Sequence, residues 1–165
     1  MANIYESERL RDEYLLFHYG RPEQIHGWEG GPDRALDFPK RIVAKFSSGL
    51  VDRALDLGCA VGRSAFEMSR LAGEVVAIDY SHSFVEAGID MQKRGRCQVS
   101  RLTEGSLLES VDVHAPADAR PECISFEQGD AMNLRADLGD FDRVLAANLL
   151  CRLRDPSLLL SLIHI

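Results

Sequence analysis

The stretch Arg53-Ala54-Leu55-Asp56-Leu57-Gly58-Cys59-Ala60-Val61-Gly62-Arg63-Ser64 carries the most specific chemistry in the chain. An apolar run holding an acid, Asp56, leads into a turn of small residues. Gly58, Ala60 and Gly62 let a ligand approach the backbone, where larger side chains would block it. Cys59 lies inside the same turn. A second acid, Asp79, ends the next apolar run, 21 positions after Gly58. An acid about 20 positions beyond such a turn is placed to accept from ribose hydroxyls. Asp130 follows a third apolar run. The set points to a nucleotide-like cofactor at the carboxyl ends of parallel strands.

A pyrophosphate-binding turn reads G-x-G-x-x-G or A. Counted from Gly58, Ala60 stands at the second Gly and Arg63 at the third. The fit is poor, and the pattern present is D-x-G-x-x-x-G. A nicotinamide-dependent Rossmann oxidoreductase remains an alternative, as does a fragment that binds a cofactor without catalysis.

The elements that must position these residues alternate. Ser7 to Tyr19 reads as a helix, with Leu10, Tyr14 and Phe17 at helical spacing, stopped by Gly20 and Pro22. Arg21 to Asp33 reads as a loop with Trp28 as its large anchor. A second helix covers Ala35 to Phe46, its proper start near Phe38 because Pro39 suits a first turn. Ala54–Leu57 is a short buried strand, Gly62–Leu71 a helix ended by Gly73, and Glu74–Asp79 a strand apolar on both faces. Ser81 or Ser83 caps a helix running to about Lys93, and Gly95 closes it. Cys97–Leu102 and Leu107–Val113, joined by Thr103-Glu104-Gly105-Ser106, read as an inserted β-hairpin. Pro116 to Pro121 is a loop. Cys123–Glu127 and Phe141–Ala147 are further core strands, with one helical turn in Asn133–Leu138 between them. Another helix starts at Pro156. Strands alternating with helices mean an α/β fold, a mostly parallel sheet covered by helices on both faces.

Composition narrows the classes. A chain of 165 residues fits one domain with a real core. A net charge of −7 argues against a general nucleic-acid binder. No run approaches the ~18 apolar residues that span a bilayer. The N-terminus lacks a secretory pattern, so a cytoplasmic setting is expected. Cys59, Cys97, Cys123 and Cys151 form no C-x-x-C pair and have no His at ligand spacing; no metal site is expected, and the cysteines should be reduced and mostly buried.

The D-x-G-x-x-x-G turn resembles motif I of class I S-adenosylmethionine-dependent methyltransferases. Val75–Tyr80 looks like their second motif, Glu127-Gln128-Gly129-Asp130-Ala131 like the adenine-reading segment, and Phe141–Asn148 like the fourth-strand motif. Closer still, Tyr14-Leu15-Leu16-Phe17-His18-Tyr19-Gly20, Asp56–Ser64, Asp79-Tyr80-Ser81-His82-Ser83-Phe84, Phe126–Ala131 and Leu145–Leu149 are together similar to the C-terminal methyltransferase domain of ovothiol synthases. That domain is described as a mercaptohistidine imidazole N-methyltransferase. The unusual phrases Cys-Ala-Val-Gly-Arg-Ser and Leu-Phe-His-Tyr-Gly carry the narrower resemblance.

The resemblance implies a Rossmann-like class I fold and S-adenosylmethionine as methyl donor. It implies a small histidine-derived thiol as acceptor and a sulfoxide synthase domain in the same pathway, with neither nucleic acid nor membrane as partner. Asp56, Gly58, Cys59, Ala60 and Gly62 would surround the methionine portion, Asp79 and Tyr80 the ribose, and Asp130 with Ala131 the adenine. Asn148 would sit at the donor mouth, and Tyr19 with Asn148 are the substrate-positioning candidates. Residues 1–50 would form an N-terminal cap over the cofactor and 51–159 a partial core. The fold normally continues past the fourth strand with three more. Here Leu160-Ser161-Leu162-Ile163-His164-Ile165 matches the translation of a common sequencing adapter, so residues 160–165 are expected to be a non-native tail, with His164 carrying no function.

Overall fold

The computed structural model describes residues 4–26, 31–32 and 35–163. Trp28 and His164 lie outside the described residues. Ser7 accepts from the Leu10 backbone N–H and starts α1 (Glu8–Tyr19). A helix α2 (Pro22–His26) stands where a loop was expected. The reason is local. Pro22 takes the first helical position, where its missing N–H costs nothing, and the Gln24 side chain accepts from the Arg21 N–H at 2.9 Å, half of a capping box. α3 runs Phe38–Val43, with Pro39 in its first turn.

The core follows the expected order with shifted boundaries: β1 (Val51–Leu57), α4 (Arg63–Met68), β2 (Ala72–Asp79) and α5 (His82–Arg94). Ser81 caps α5 by accepting from the Phe84 N–H, and left-handed Gly95 closes it. Then come the hairpin strands β3 (Arg96–Leu102) and β4 (Leu108–His114), followed by β5 (Ile124–Gln128), β6 (Arg143–Leu145) and α6 (Pro156–Ile163). The main sheet has the order β5-β2-β1-β6, with every pair parallel. This is the Rossmann-like α/β arrangement expected from the strand patterns.

Two cores explain the apolar strands. Ala54, Val75 and Ala77 face a cluster holding Leu15, Tyr19, Phe66 and Phe84. Their neighbours Leu55, Val76 and Ile78 face a second cluster with Leu138 and Leu159. Side chains alternate across a strand, so a sheet covered on both faces needs apolar residues at consecutive positions.

The hairpin pairs antiparallel from Arg96↔His114 to Leu102↔Leu108. It buries Val99, Val111 and Val113 in the first core. It also grips the N-terminal helices. The Ser100 N–H donates to the Asp12 carboxylate at 2.9 Å, Arg101 donates to the Gln24 carbonyl at 2.8 Å, and the Gln24 amide donates to the Asp112 carbonyl.

Three expectations are corrected. Asn133–Leu138 forms turns rather than a helical turn, because the Asp130 side chain accepts from the Met132 N–H at 2.8 Å and offers the backbone a non-helical partner. β6 is three residues long, not seven: the Asp142 carboxylate is turned onto the Asp52 and Arg53 N–H groups, and Asn148 adopts a left-handed conformation. Of the cysteines only Cys59 is buried; Cys97 and Cys123 are half-buried and Cys151 is exposed. None of the described helices is long and apolar enough to cross a membrane.

Candidate functional site

The turn after β1 is held in an unusual backbone path. Gly58, Ala60 and Gly62 have φ of 69°, 49° and 86°. A left-handed non-glycine costs roughly 1–2 kcal/mol. At Ala60 that cost is offset by its N–H, which donates to Asp79 Oδ2 at 2.8 Å. The Gly58 and Cys59 N–H groups both donate to the Ile78 carbonyl, at 2.8 and 3.2 Å, and fasten the turn to β2. Gly62 is required twice over. Its φ excludes most residues, and a Cβ there would lie 2.6 Å from the Phe126 ring. The same ring explains Gly88 in the middle of α5, where a Cβ would lie 2.7 Å away. A Cβ at Gly58 would come within 3.1 Å of Leu149, so the turn meets the segment after β6.

The acids differ in what they do. Asp79 accepts from the Ala60 and Ser81 N–H groups, and burial raises its pKa. The carboxylate has roughly four acceptor sites, and those the backbone leaves open can take ribose hydroxyls. Asp56 is fully buried, accepts from Ser64 Oγ at 2.6 Å and ties the strand to α4. Burial, with a smaller push from Asp79, raises its pKa to about 7 against the pull of Ser64. Asp130 sits beside Asp79, because the Gly129 N–H donates to the Asp79 carbonyl at 2.9 Å. Ala131 packs into the second core.

Tyr19 supports the turn from α1. Its buried hydroxyl donates to the Val61 carbonyl at 2.9 Å, and burial pushes its pKa up. Arg63 lies over the Tyr19 ring at 5.5 Å and donates to the His18 carbonyl at 3.0 Å and to Glu67. A dinucleotide fold needs a small residue at this position for close helix–strand packing. Here the arginine holds α1 onto α4 instead. The His18 Nδ1 is buried without a hydrogen-bond partner, and burial with the nearby Arg63 charge lowers the pKa of the ring to about 4. Burial also raises the Cys59 thiol well above its usual range.

The N-terminal residues cross the same end of the sheet. The Glu6 carboxylate accepts from the His82 and Ser83 N–H groups, each at 3.1 Å, at the positive end of α5. Ser81 Oγ donates to the Tyr5 carbonyl. Tyr5 packs edge-on against Tyr14 and Phe84 and accepts from Arg152 beyond β6.

Asp56, Gly58, Cys59, Ala60, Gly62 and Asp79 therefore meet around one turn, with Asp130 alongside. Tyr80 is 64% exposed next to Asp79, its carbonyl accepting from Gln128. Asn148 is exposed in a left-handed turn, a conformation that itself favours asparagine. Sequence reading missed Tyr5, Glu6 and Arg152, whose partners lie far away in the chain. Phe126 was legible only through the two glycines it demands. The arrangement of left-handed turn, buried acceptor and neighbouring acid fits a nucleoside with a charged tail.

Comparison with known proteins agrees. A family described as a methyltransferase domain matches residues 55–164, two-thirds of the chain. The chain is similar to a structure of the Haloferax volcanii Trm112 methyltransferase activator in complex with a candidate methyltransferase. The TM-score is 0.61 at 17% identity, covering 99% of this chain and 55% of that one. It is similar also to the structure of EvdMO1, with a TM-score of 0.55 at 21% identity, covering 94% and 32%. At such identities the likeness concerns the fold. No curated protein matches in sequence. The chain spans 35%, 55% and 25% of the length of three solved structures that it matches.

Proposed function

The chain belongs to the methyltransferase-domain family, and from that premise we propose that it N-methylates the imidazole of a mercaptohistidine, the methyl-transfer step of ovothiol biosynthesis. S-adenosylmethionine is the cofactor of this class and supplies an electrophilic methyl group on a sulfonium. In-line displacement depends chiefly on alignment, so the protein's task is positioning. Asp79 holds the ribose with its remaining acceptor sites while it keeps Ala60 in its left-handed path. Asp130 and the Ala131 N–H read the adenine. The turn from Gly58 to Gly62 lines the methionine portion, with Cys59 inside it and Tyr80 at the outer edge by the ribose. Tyr19 acts through the turn, as a positioning residue. Asn148 stands at the mouth, where the acceptor enters. A neutral imidazole nitrogen is a nucleophile at neutral pH, so no strong base is required.

One observation carries the narrower reading. The two phrases that resemble the ovothiol-synthase domain touch each other: Tyr19 donates to Val61, and Arg63 donates to His18. Two unusual motifs, more than 40 positions apart, form one contact unit around the donor turn. On this reading residues 1–50 cap the cofactor over a core of residues 51–159, the setting is cytoplasmic, and a sulfoxide synthase domain acts earlier in the same pathway. The test is incubation with S-adenosylmethionine and either mercaptohistidine or histidine, with mass detection of the added methyl. Methylation of mercaptohistidine in preference to histidine is expected; methylation of neither contradicts the reading.

A further inference from the structure

We propose that Arg152 binds a carboxylate of the methyl acceptor at the mouth of the donor turn, with the Tyr14 hydroxyl as its neighbour. The inference rests on the reading of the acceptor as an amino acid. Its geometry is independent of that reading. Leu149 packs against Gly58 of the turn, and the Arg152 N–H donates to the Leu149 carbonyl at 2.8 Å, one tight turn further on. The guanidinium lies 5.8 Å from the Tyr5 ring centre, at its hydroxyl end, and donates to the Tyr5 hydroxyl. Tyr5 stands edge-on to Tyr14, with ring centres 6.5 Å apart. Tyr14 packs in turn against Phe84, and its hydroxyl lies within electrostatic range of both Arg152 and Asp79.

Among the described residues no carboxylate pairs with Arg152, whereas Arg53, Arg63, Arg70, Arg101 and Arg135 each hold one. A guanidinium presents five donors in a planar fork that matches a carboxylate two bonds at a time. The bond to Tyr5 restrains the fork before a ligand arrives, so less freedom is lost on binding. Glu6 and Asp79 border this mouth: Ser81, whose N–H donates to Asp79, donates its hydroxyl to the Tyr5 carbonyl, and Glu6 accepts from the His82 N–H beside it. Their negative charge disfavours a phosphate dianion more than a single carboxylate. The donor's own methionyl carboxylate has the same chemistry, and the test separates the two sources.

The experiment is calorimetry on the whole chain, wild type, Arg152→Met and Tyr14→Phe. S-adenosylhomocysteine is titrated first. Mercaptohistidine and its decarboxylated amine are then titrated into the S-adenosylhomocysteine complex. Expected is a loss of at least tenfold in mercaptohistidine affinity in Arg152→Met, a smaller loss in Tyr14→Phe, and unchanged binding of the amine and of S-adenosylhomocysteine. The unchanged ligands report that the variant is folded. Equal loss for acid and amine, or no loss for either, overturns the carboxylate role. A loss confined to S-adenosylhomocysteine assigns Arg152 to the donor and overturns it as well. A wild-type complex that binds neither acid nor amine contradicts the mercaptohistidine reading, and the inference falls with it, a result distinct from the others.

Discussion

The donor turn and the mouth above it are built by opposite means. Around the turn most of the work is done by backbone. Gly58, Cys59 and Ala60 give their N–H groups to β2, and two side chains, Asp79 and Tyr19, complete the hold. The residues concerned lie within one β-α-β unit, and most are buried. At the mouth the work is done by side chains. Tyr5 meets Arg152 across 147 positions, and Glu6 caps a helix that begins 76 positions later. Backbone geometry suits a cofactor that never changes. Side chains on separate elements can change one at a time, which suits an acceptor site.

The contrast can be broken most severely at Gly62. Gly62→Val forces a branched side chain into a left-handed position and into Phe126, and unfolding in urea should show a loss of about 2–5 kcal/mol. Adding Phe126→Leu should return only the steric share. Full recovery would mean that the backbone path does not matter. Asp79→Ala comes next. It removes the partner of two buried N–H groups, and affinity for S-adenosylhomocysteine should fall tenfold or more, in line with about 1.5–3 kcal/mol for a bond to a charged group. An unchanged affinity removes Asp79 from the ribose role. Tyr19→Phe leaves the Val61 carbonyl without its partner and should cost about 1–2 kcal/mol in stability. The mouth should be indifferent to it, so acceptor affinity in the donor-saturated protein should not move.

The smallest net effect is in pH, because two shifts of opposite sign offset each other in the wild-type chain. Asp56 titrates near 7 when folded against an ordinary 3.8, so its contribution to stability is full below about 4 and lost as pH rises to about 7. His18 titrates near 4 against 6.5, so its contribution is present above 6.5 and lost as pH falls through 4. The two oppose each other between pH 4 and 6.5. In Asp56→Asn stability should rise with pH across that range, and in His18→Asn it should fall. Chemical denaturation at several pH values reads the slopes; parallel slopes in both variants would contradict the assignment.

What was legible in the chain follows the same division. Consecutive apolar residues betray strands buried on both faces, and small residues next to an acid betray the turn. Both signals are local, and the sheet and the hairpin came through. Less legible were features in which a side chain competes with the backbone. Gln24 reaches back to make a helix of a Pro-bearing loop, while Asp130 and Asp142 divert segments from helix and strand. Tyr19 reads as a substrate-positioning candidate from its place on α1; its ring is buried and its hydroxyl anchors the turn. The hairpin's purpose has no local signal, because it lies in the bonds to Asp12 and Gln24. Arg152 carries no local signal, because its meaning comes from Tyr5 at the far end of the chain.

The central claim is that the turn and Asp79 form a site for an adenosyl methyl donor rather than for a dinucleotide. Parallel calorimetric titrations of the wild-type chain with S-adenosylhomocysteine and with NADH test it directly. Saturable binding of S-adenosylhomocysteine with one site per chain, and no heat from NADH, is the predicted result. Binding of NADH without binding of S-adenosylhomocysteine would contradict it.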